Sequence, residues 1–442
     1  MHRPIPRAAL AVLLLAALPA WAVPPPPPAP PPSTKADVQV SAHVLPPGSG
    51  APVSFDQAIG LAAQAPAVAG AEAAAAEQRR VGDSVSSVIA NPMLIVQPGA
   101  AKDPLDDQWK YMGEATLLQG WNLSGLPGDR KSSIRAEGEL LSAEARAAAL
   151  SHKLGAAQAW LDLWAAQQSL ADSIQEYDLA REFSAKMARA AEAAAFTRAE
   201  AADAATYAAE AHVQAIAAEG EVVDRGYGLA VAMGQQAEKP LVATGSVPAP
   251  PQPTRTDWPA LLDAAGKLPA VAARKLASDA DRAREAEFRS TKGWGLGTGV
   301  KGTRDYLGTW GAQAVLEVSF PVFDRGEREA APVAAAAARA EGEFREARAV
   351  AATELARALH EVEHTGEVLD AIEKELVPAA QLNAQSRDAS MRAGETTVLE
   401  VLVARRTWAA ARQKRTRALA SHAWARVKVW MLIADMTPGG AK

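Results

Sequence analysis

Residues 310–320 read WGAQAVLEVSF, and apolar and polar side chains alternate along this run. Side chains two apart in a β-strand point to the same face of the sheet, so the alternation predicts a two-faced strand. The apolar face would contain Trp310, Ala312, Ala314, Leu316, Val318 and Phe320, and the other face Gln313, Val315, Glu317 and Ser319. A run of roughly 9 to 11 residues whose apolar face ends in aromatic side chains is typical of a strand that crosses a membrane in a β-barrel.

Three further runs repeat this pattern and give four predicted strands, near 91–97, 108–123, 294–301 and 310–320. Aromatic side chains lie in these runs where lipid headgroups would meet the rim of a barrel. These membrane-interface residues are Trp109, Tyr111, Trp121, Trp294, Trp310 and Phe320. Four strands cannot close a barrel alone, and unpaired edges in lipid are costly, so several protomers would share one barrel. The alternative is an edge hairpin on a soluble domain.

The chain contains an internal repeat, in which each half has a helix, two strands, a very long helix, a tight turn and another long helix. In the first half we expect a helix from Ser54 to Val88 and a long helix from Pro127 to about Ala190. In the second half we expect a helix from Trp258 to Phe288 and a long helix from Asp324 to about Ser390. A helix of about 63 residues would be about 95 Å long, which favours a coiled bundle. The fold class is therefore mainly α with a small β part.

The tight turn of each half ends in the same sequence signal. Thr197 and Glu200 in the first half, and Thr397 and Glu400 in the second, form Thr-x-x-Glu capping boxes. In such a box the hydroxyl and the carboxylate satisfy free backbone N–H groups at a helix start. The signal therefore places the start of a returning helix at equivalent points of the two halves.

The two ends of the chain differ in composition from the repeats. Residues 1–22 are typical of a signal peptide, with a basic start, an apolar stretch and the small-x-small site Ala20-Trp21-Ala22. Proline runs indicate an extended tether at 23–50. We then expect the first repeat at 51–234, a Pro- and Gly-rich linker at 235–255, the second repeat at 256–434 and a tail at 435–442.

Composition and motifs argue against nucleic-acid binding and against an enzyme. The 46 Lys and Arg against 51 Asp and Glu give a net charge of −5, with no basic stripe to neutralise phosphates. Cysteine is absent, which excludes disulfides, thiolate metal sites and a cysteine-linked lipid anchor. The acidic residues are dispersed at helical spacing, with no Ser-His-Asp set or paired catalytic carboxylates. We therefore predict no enzymatic activity, no cofactor and no nucleic-acid partner.

One pair of residues is a weak candidate for metal binding. His360 and His364 are four residues apart beside Glu361 and Glu363, so they could share one helix face and hold a metal ion transiently. The alternative is a solvated helix face without a ligand.

The repeated order of two strands, long helix, turn and helix resembles the outer-membrane factor (TolC-like) family of outer-membrane efflux proteins. The resemblance covers about residues 53 to 434 and rests on three segments. These are VSFPVFDRG at 318–326, similar to the family's strand-to-helix junction, AGETTVLEVL at 393–402, similar to its tip turn, and Phe55 to Pro66, similar to its opening helix. The junction is also similar to that of the heavy-metal (CzcC-like) branch.

The resemblance implies a homotrimer in the outer membrane of a Gram-negative-type cell. Four strands from each protomer would make one twelve-stranded β-barrel, and twelve helices a periplasmic tunnel. Besides membrane lipid, the implied partners are a periplasmic membrane-fusion adaptor and an inner-membrane pump of the RND type. The pump supplies the energy, so the subunit would be a passive conduit. The alternative is a periplasmic coiled-coil adaptor or scaffold, which shares the helices but has no strands in lipid.

The resemblance also assigns a role to the tip, where the family places acidic side chains around the closed aperture. Glu200 and Glu400 occupy similar positions, together with Thr197, Thr397 and Gly394 of the same turns. Carboxylates ringed threefold in a narrow mouth would attract cations and repel one another. The alternative is that both glutamates serve only as helix caps.

Four positions near the tip depart from the family pattern. Val403 replaces a second acid, Met391 and Thr396 replace a tyrosine and an arginine found in some relatives, and Ala195 replaces a glycine common in the first tip turn. The latch between protomers is therefore expected to differ from that of relatives.

Overall fold

The computed structural model describes residues 50–84 and 91–436. The first half contains β1 (Ala51–Ser54), α1 (Phe55–Ala63), α2 (Pro66–Ser84), β2 (Met93–Lys102), β3 (Trp109–Asn122), α3 (Leu126–Glu192) and α4 (Arg198–Ala232). The second contains β4 (Leu241–Thr244), α5 (Trp258–Ala264), α6 (Pro269–Thr291), β5 (Gly295–Arg304), β6 (Trp310–Ser319), α7 (Glu327–Ala371), α8 (Val377–Arg392) and α9 (Val398–Met436). The predicted signal peptide, nearly all of the tether, residues 85–88 of the predicted first helix and most of the tail lie outside the described residues.

A four-stranded antiparallel sheet forms where strands were expected, in the order β2-β3-β5-β6. Its central pair, β3 and β5, joins the two halves of the repeat. The first strand, expected near 91–97, extends to Lys102, because residues Gln97 to Lys102 stay paired with Trp109 to Glu114. Pro98 interrupts no pairing within the sheet of one chain, because β2 is its outer strand and has a neighbour on one side only.

The long helices are the dominant feature of the fold. α3 has 67 residues and is therefore about 100 Å long. α7 and α8 form the matching run and together cover the helix expected to about Ser390. A π-helical turn at Ile372–Leu376 separates α7 from α8. Pro378 explains this π-helical turn. Proline has no N–H to donate to the carbonyl one turn back, and its ring crowds that carbonyl, so the helix widens there.

Two shorter helices were expected to be continuous, and both predictions are wrong. The segment from Ser54 to Val88 contains the last residue of β1, then α1 and α2, with a break just before Pro66. The segment from Trp258 to Phe288 contains α5, a short 3₁₀ turn and α6, with a break at Leu268. Both breaks precede a proline, whose ring disfavours helical backbone in the residue before it. Leu268 shows this directly, with an extended ψ of 139°.

A second, two-stranded sheet was not expected at all. β1 and β4 pair in parallel, with Ala51 opposite Leu241, so a piece of the expected linker is a strand. This sheet packs on the middle of α3, where the Trp160 indole N–H donates to the Val53 carbonyl at 3.0 Å. The surrounding core is rich in alanine, which lets helix backbones approach closely. Its buried members include Ala58, Ala62, Ala156, Leu161, Leu163 and Leu229.

Candidate functional site: the two-faced sheet and the tip turns

One face of the four-stranded sheet is apolar from edge to edge. Residues directly opposite each other in antiparallel strands point to the same face. Leu94 lies opposite Leu117, Leu117 opposite Val300, and Val300 opposite Ala314. The same face, called the apolar face below, also contains Val96, Leu296, Leu316 and Val318.

The apolar face is uncovered in the single chain. Leu94 is 64% exposed and Leu316 is 71% exposed. Apolar surface of this extent rarely faces water in a soluble monomer and marks a contact with lipid or with another protein. Among the described residues no helix combines the length and apolar character that crossing a membrane requires.

Two rows of aromatic residues border the apolar face. Trp109, Tyr111 and Trp310 lie at the end with the hairpin loops, and Trp121, Trp294 and Phe320 lie at the end joined to the helices. The Trp294 and Phe320 rings are in contact, with centroids 5.8 Å apart. Tyr111 and Trp121 are about ten residues apart, which is about 34 Å along a strand. If the strand is tilted by about 40° from the axis of a barrel, this distance is about 25 Å along that axis. That is the height of the apolar band of outer-membrane barrels.

The opposite face, called the polar face below, carries most of the charged and amide side chains of the sheet, beside apolar ones such as Ile95 and Leu118. Gln97 lies opposite Glu114, and Thr116 lies opposite Lys301, which in turn lies opposite Gln313. The Lys301 ammonium and the Glu114 carboxylate form an ion pair across β3 and β5. The sheet can therefore separate an apolar medium from an aqueous one.

Glu317 is the carboxylate on the polar face that no described cation neutralises. It lies on β6 opposite Gly297, which has no side chain to meet it. No described Lys, Arg or His forms an ion pair with it. The side chain is exposed on the polar face, next to a row of glycines on β5.

Both outer strands of the sheet leave one edge unpaired within residues 50–84 and 91–436. β2 pairs only with β3, and β6 only with β5. An unpaired edge carries free N–H and C=O groups, which are costly in lipid. The sheet of one chain is therefore incomplete as a membrane structure.

The two tip turns have the same geometry. At the end of α3 the Ala195 N–H donates to the Ala190 carbonyl at 2.8 Å, and at the end of α8 the Glu395 N–H donates to the Ser390 carbonyl at 2.9 Å. These six-to-one bonds are typical of a Schellman helix end, which needs one residue with left-handed backbone. That residue is Ala194 (φ 59°) in the first turn and Gly394 (φ 76°) in the second. By its backbone, the residue of the first turn equivalent to Gly394 is Ala194, the neighbour of Ala195.

Both predicted capping boxes are present. In the first, the Thr197 N–H and hydroxyl donate to Glu200 Oε2, each at 2.8 Å, and the Glu200 N–H donates to Thr197 Oγ1 at 3.2 Å. In the second, the Thr397 N–H donates to Glu400 Oε2 and the Glu400 N–H donates to Thr397 Oγ1, each at 3.3 Å.

The tip carboxylates differ in their surroundings. The backbone N–H and then the hydroxyl of Thr197 hold the pKa of Glu200 below its ordinary value. The pKa of Glu400 is also lowered, first by the Thr396 hydroxyl, then by the Thr397 N–H and by the Arg387 guanidinium. Arg387 Nη1 lies 3.5 Å from Glu400 Oε2. Both glutamates are therefore charged at neutral pH, but a cation accompanies only Glu400 among the described residues.

A buried ion cluster above the tip was missed by the sequence analysis. Glu176 on α3 accepts hydrogen bonds from the Tyr207 hydroxyl of α4 and from Arg412 Nη2 of α9, the latter at 3.2 Å. Burial raises the pKa of Glu176, while Arg412 and Arg405 act in the opposite direction. Arg405 also binds both oxygens of Asp388 and lies 4.6 Å above the Phe183 ring. The partners lie on different helices, which is why no local spacing predicted them.

The predicted histidine pair is brought together on α7. The rings of His360 and His364 are nearly parallel, with centroids 6.3 Å apart, and both are exposed. The neighbouring Glu363 is engaged by Arg255 at 2.7 Å. Among the described residues no group of three or more His, Asp or Glu side chains could hold a metal ion.

No protein-family model and no curated protein matches the sequence. Solved structures do match. A structure of CusC, from work on its folding and transmembrane channel formation, superposes with a TM-score of 0.71 at 14% identity and covers 89% of this chain and 95% of its own. The outer-membrane channel OprN gives 0.71 at 15% identity, with 86% and 89% covered. The outer membrane protein VceC of Vibrio cholerae gives 0.68 at 15%, with 86% and 95% covered. The mainly helical fold with a small sheet part, which the resemblance implied for the single chain, is therefore confirmed.

Proposed function

We propose that this chain is one subunit of a trimeric outer-membrane channel that serves as the passive exit duct of a tripartite efflux system. The observation that carries the proposal is the apolar face, bordered by two aromatic rows at the spacing of a membrane's hydrocarbon layer. A soluble coiled-coil scaffold would expose this apolar face to water, which is unfavourable. The similar solved structures, described as outer-membrane channels, support the same conclusion.

The unpaired edges of the sheet support assembly with other protomers, and the resemblance sets their number at three. If β6 of one protomer pairs with β2 of the next, three protomers with four strands each form a closed barrel of twelve strands. Closure removes both edges and places the apolar face in lipid. The polar face, with Glu114, Lys301 and Glu317, then lines a water-filled lumen.

Below the barrel, α3, α4, α7, α8 and α9 of the three protomers form a periplasmic tunnel. Since α3 is about 100 Å long, the tunnel would extend about that far below the barrel. The tip turns at its far end are the proposed contact with a membrane-fusion adaptor. An inner-membrane pump of the RND type, joined to that adaptor, supplies the energy for export. The subunit itself catalyses nothing and needs no cofactor.

Glu200 and Glu400, with Thr197, Thr397 and Gly394 holding their turns, are the proposed acidic ring of the aperture. Both carboxylates are charged at neutral pH, as an electrostatic ring requires. Their capping role does not compete with this one, because a capping carboxylate at an exposed helix start keeps its charge.

The proposal is tested by expressing the full-length chain with its export signal and purifying it from membranes. We expect the protein to float with liposomes, to run as a trimer in mild detergent and to give discrete conductance steps in planar lipid bilayers. A periplasmic scaffold would instead be released by osmotic shock without detergent. A protein that stays in the aqueous fraction and gives no conductance would refute the proposal.

A further inference from the structure

One cation lies on the apolar face of the sheet without a carboxylate to neutralise it. Arg304 is the last residue of β5 and lies directly opposite Trp310, within the aromatic row at the hairpin end. Its guanidinium carbon lies 5.6 Å from the centroid of the Trp310 ring, a cation–π distance. The Arg304 side chain is exposed and the Trp310 side chain is 74% exposed.

The other cations near this row are already paired. Lys102, on the same face, lies 2.6 Å from Asp107. Lys110, on the polar face, forms ion pairs with Asp103 and with Asp106, the latter at 3.1 Å. Among the described residues, Arg304 has no such partner.

The nearest acidic residue along the chain, Asp305, is hydrogen bonded within the hairpin loop. Asp305 Oδ1 accepts the N–H groups of Leu307 at 2.9 Å and of Thr309 at 2.8 Å, which fixes the turn between β5 and β6. The charge of Arg304 is therefore left for an external anion. A guanidinium at the edge of a lipid-facing surface meets the headgroup region, where the available anion is a phosphate.

We propose that Arg304 and Trp310 form a binding site for the phosphate group of an anionic lipid headgroup, in the leaflet that surrounds the hairpin end of the sheet. The inference rests on the proposed function, because it requires the apolar face to lie in lipid. The guanidinium would donate to the phosphate oxygens, while the indole holds the guanidinium in place and lies among the upper acyl carbons. In the trimer the site occurs three times.

The test compares the purified full-length protein with two variants, Arg304→Gln and Lys102→Gln. Both remove one cation from the same row of the same face, but only Arg304 lacks a carboxylate partner. Each protein is reconstituted in phosphatidylcholine liposomes containing lipid A, phosphatidylglycerol or no anionic lipid. It is then extracted in mild detergent, and the retained lipids are counted by native mass spectrometry. Inorganic phosphate is added to one set as a competitor.

We expect wild-type and Lys102→Gln protein to retain anionic lipid, and Arg304→Gln to retain about fivefold less, the effect of roughly one surface cation. Inorganic phosphate should not displace the lipid, because the acyl chains contribute to binding. Equal retention by wild-type and Arg304→Gln protein would overturn the inference, as would equal losses in both variants or displacement by inorganic phosphate. Conductance in phosphatidylcholine bilayers distinguishes a failure of the lipid-binding inference from a failure of the proposed function. A channel conducts whether or not Arg304 binds lipid, so loss of lipid binding alone leaves conductance intact.

Discussion

Ala194 and Gly394 occupy equivalent positions in the two tip turns and share left-handed backbone, with φ of 59° and 76°, although only one of them is glycine. A side chain with a Cβ is disfavoured in this conformation by roughly 1 to 2 kcal/mol. The first turn therefore holds strain that the second does not, and the rest of the tip has to compensate for it.

We expect Ala194→Gly to stabilise the first tip turn by about 1 kcal/mol and Gly394→Ala to destabilise the second by a similar amount. Hydrogen exchange of the Ala195 and Glu395 amides measures both effects, since each amide closes its turn. Exchange should slow about fivefold in the first variant and quicken about fivefold in the second. Changes of the same sign in both variants would contradict the assignment of Ala194.

A second prediction concerns the buried carboxyl of Glu176. Folding raises its pKa, so it favours the folded state most below its ordinary pKa, and this contribution is lost as the pH rises through the raised value. Glu176→Gln removes the titration and should therefore be relatively more stable, compared with wild type, at about pH 7.5 than at about pH 4.

Thermal unfolding in detergent at the two pH values measures this difference. Glu182→Gln on the same helix is the control, because the hydrogen bond from Lys186 lowers the pKa of Glu182. That variant should show the opposite dependence, losing relative stability at the higher pH. A Glu176→Gln variant whose difference from wild type is the same at both pH values would show that this carboxyl does not titrate differently in the folded state.

A third prediction uses two adjacent residues of β3 that point to opposite faces. Leu117 is near the middle of the apolar face, and Thr116 is on the polar face opposite Lys301. Leu117→Arg should destabilise the membrane-inserted protein by about 2 to 4 kcal/mol. Thr116→Arg should cost no more than about 1 kcal/mol, from the like charge opposite Lys301. Urea unfolding of liposome-reconstituted protein checks both variants, and similar losses in the two would mean that the faces are wrongly assigned.

A fourth prediction distinguishes the two tip glutamates. Glutamine preserves a capping box but carries no charge, so Glu200→Gln and Glu400→Gln remove only the carboxylate charge. Because Arg387 already offsets Glu400, we expect the cation preference of single channels to fall more in Glu200→Gln than in Glu400→Gln. Reversal potentials under a salt gradient give the measurement. Unchanged selectivity in the double variant would leave both residues as helix caps alone.

The four strands of the antiparallel sheet and the capping boxes could be predicted because each depends on a short, local pattern. The alternation around Leu117 and around Leu316 follows directly from the period of a strand, and the Thr-x-x-Glu spacing follows from the geometry of a helix start. The breaks before Pro66 and Pro269 also have a local signal, the proline itself, which the helical pattern on either side obscured.

Other features depend on contacts that no local pattern reveals. β1 and β4 are each four residues long, which is too short to show the period of a strand. They also lie far apart in the sequence, with Ala51 opposite Leu241. Glu176 and Arg412 meet because α3 and α9 lie side by side. The left-handed conformation of Ala194 could not be predicted, because alanine, unlike Gly394, gives no sequence signal for it.

The pairing of β3 with β5 has a consequence for biosynthesis. The side chains of Trp121 and Thr298 are hydrogen bonded at 3.2 Å, yet these residues are 177 positions apart in the chain. At a synthesis rate of about 5 to 20 residues per second, the first hairpin is complete about ten seconds or more before its neighbour exists. During that interval the apolar face of β2 and β3 has no partner strand and stays exposed. We therefore expect a secretion chaperone to bind the nascent chain. Chains truncated after Thr291 should stay bound to such a chaperone and remain sensitive to protease within β2 and β3.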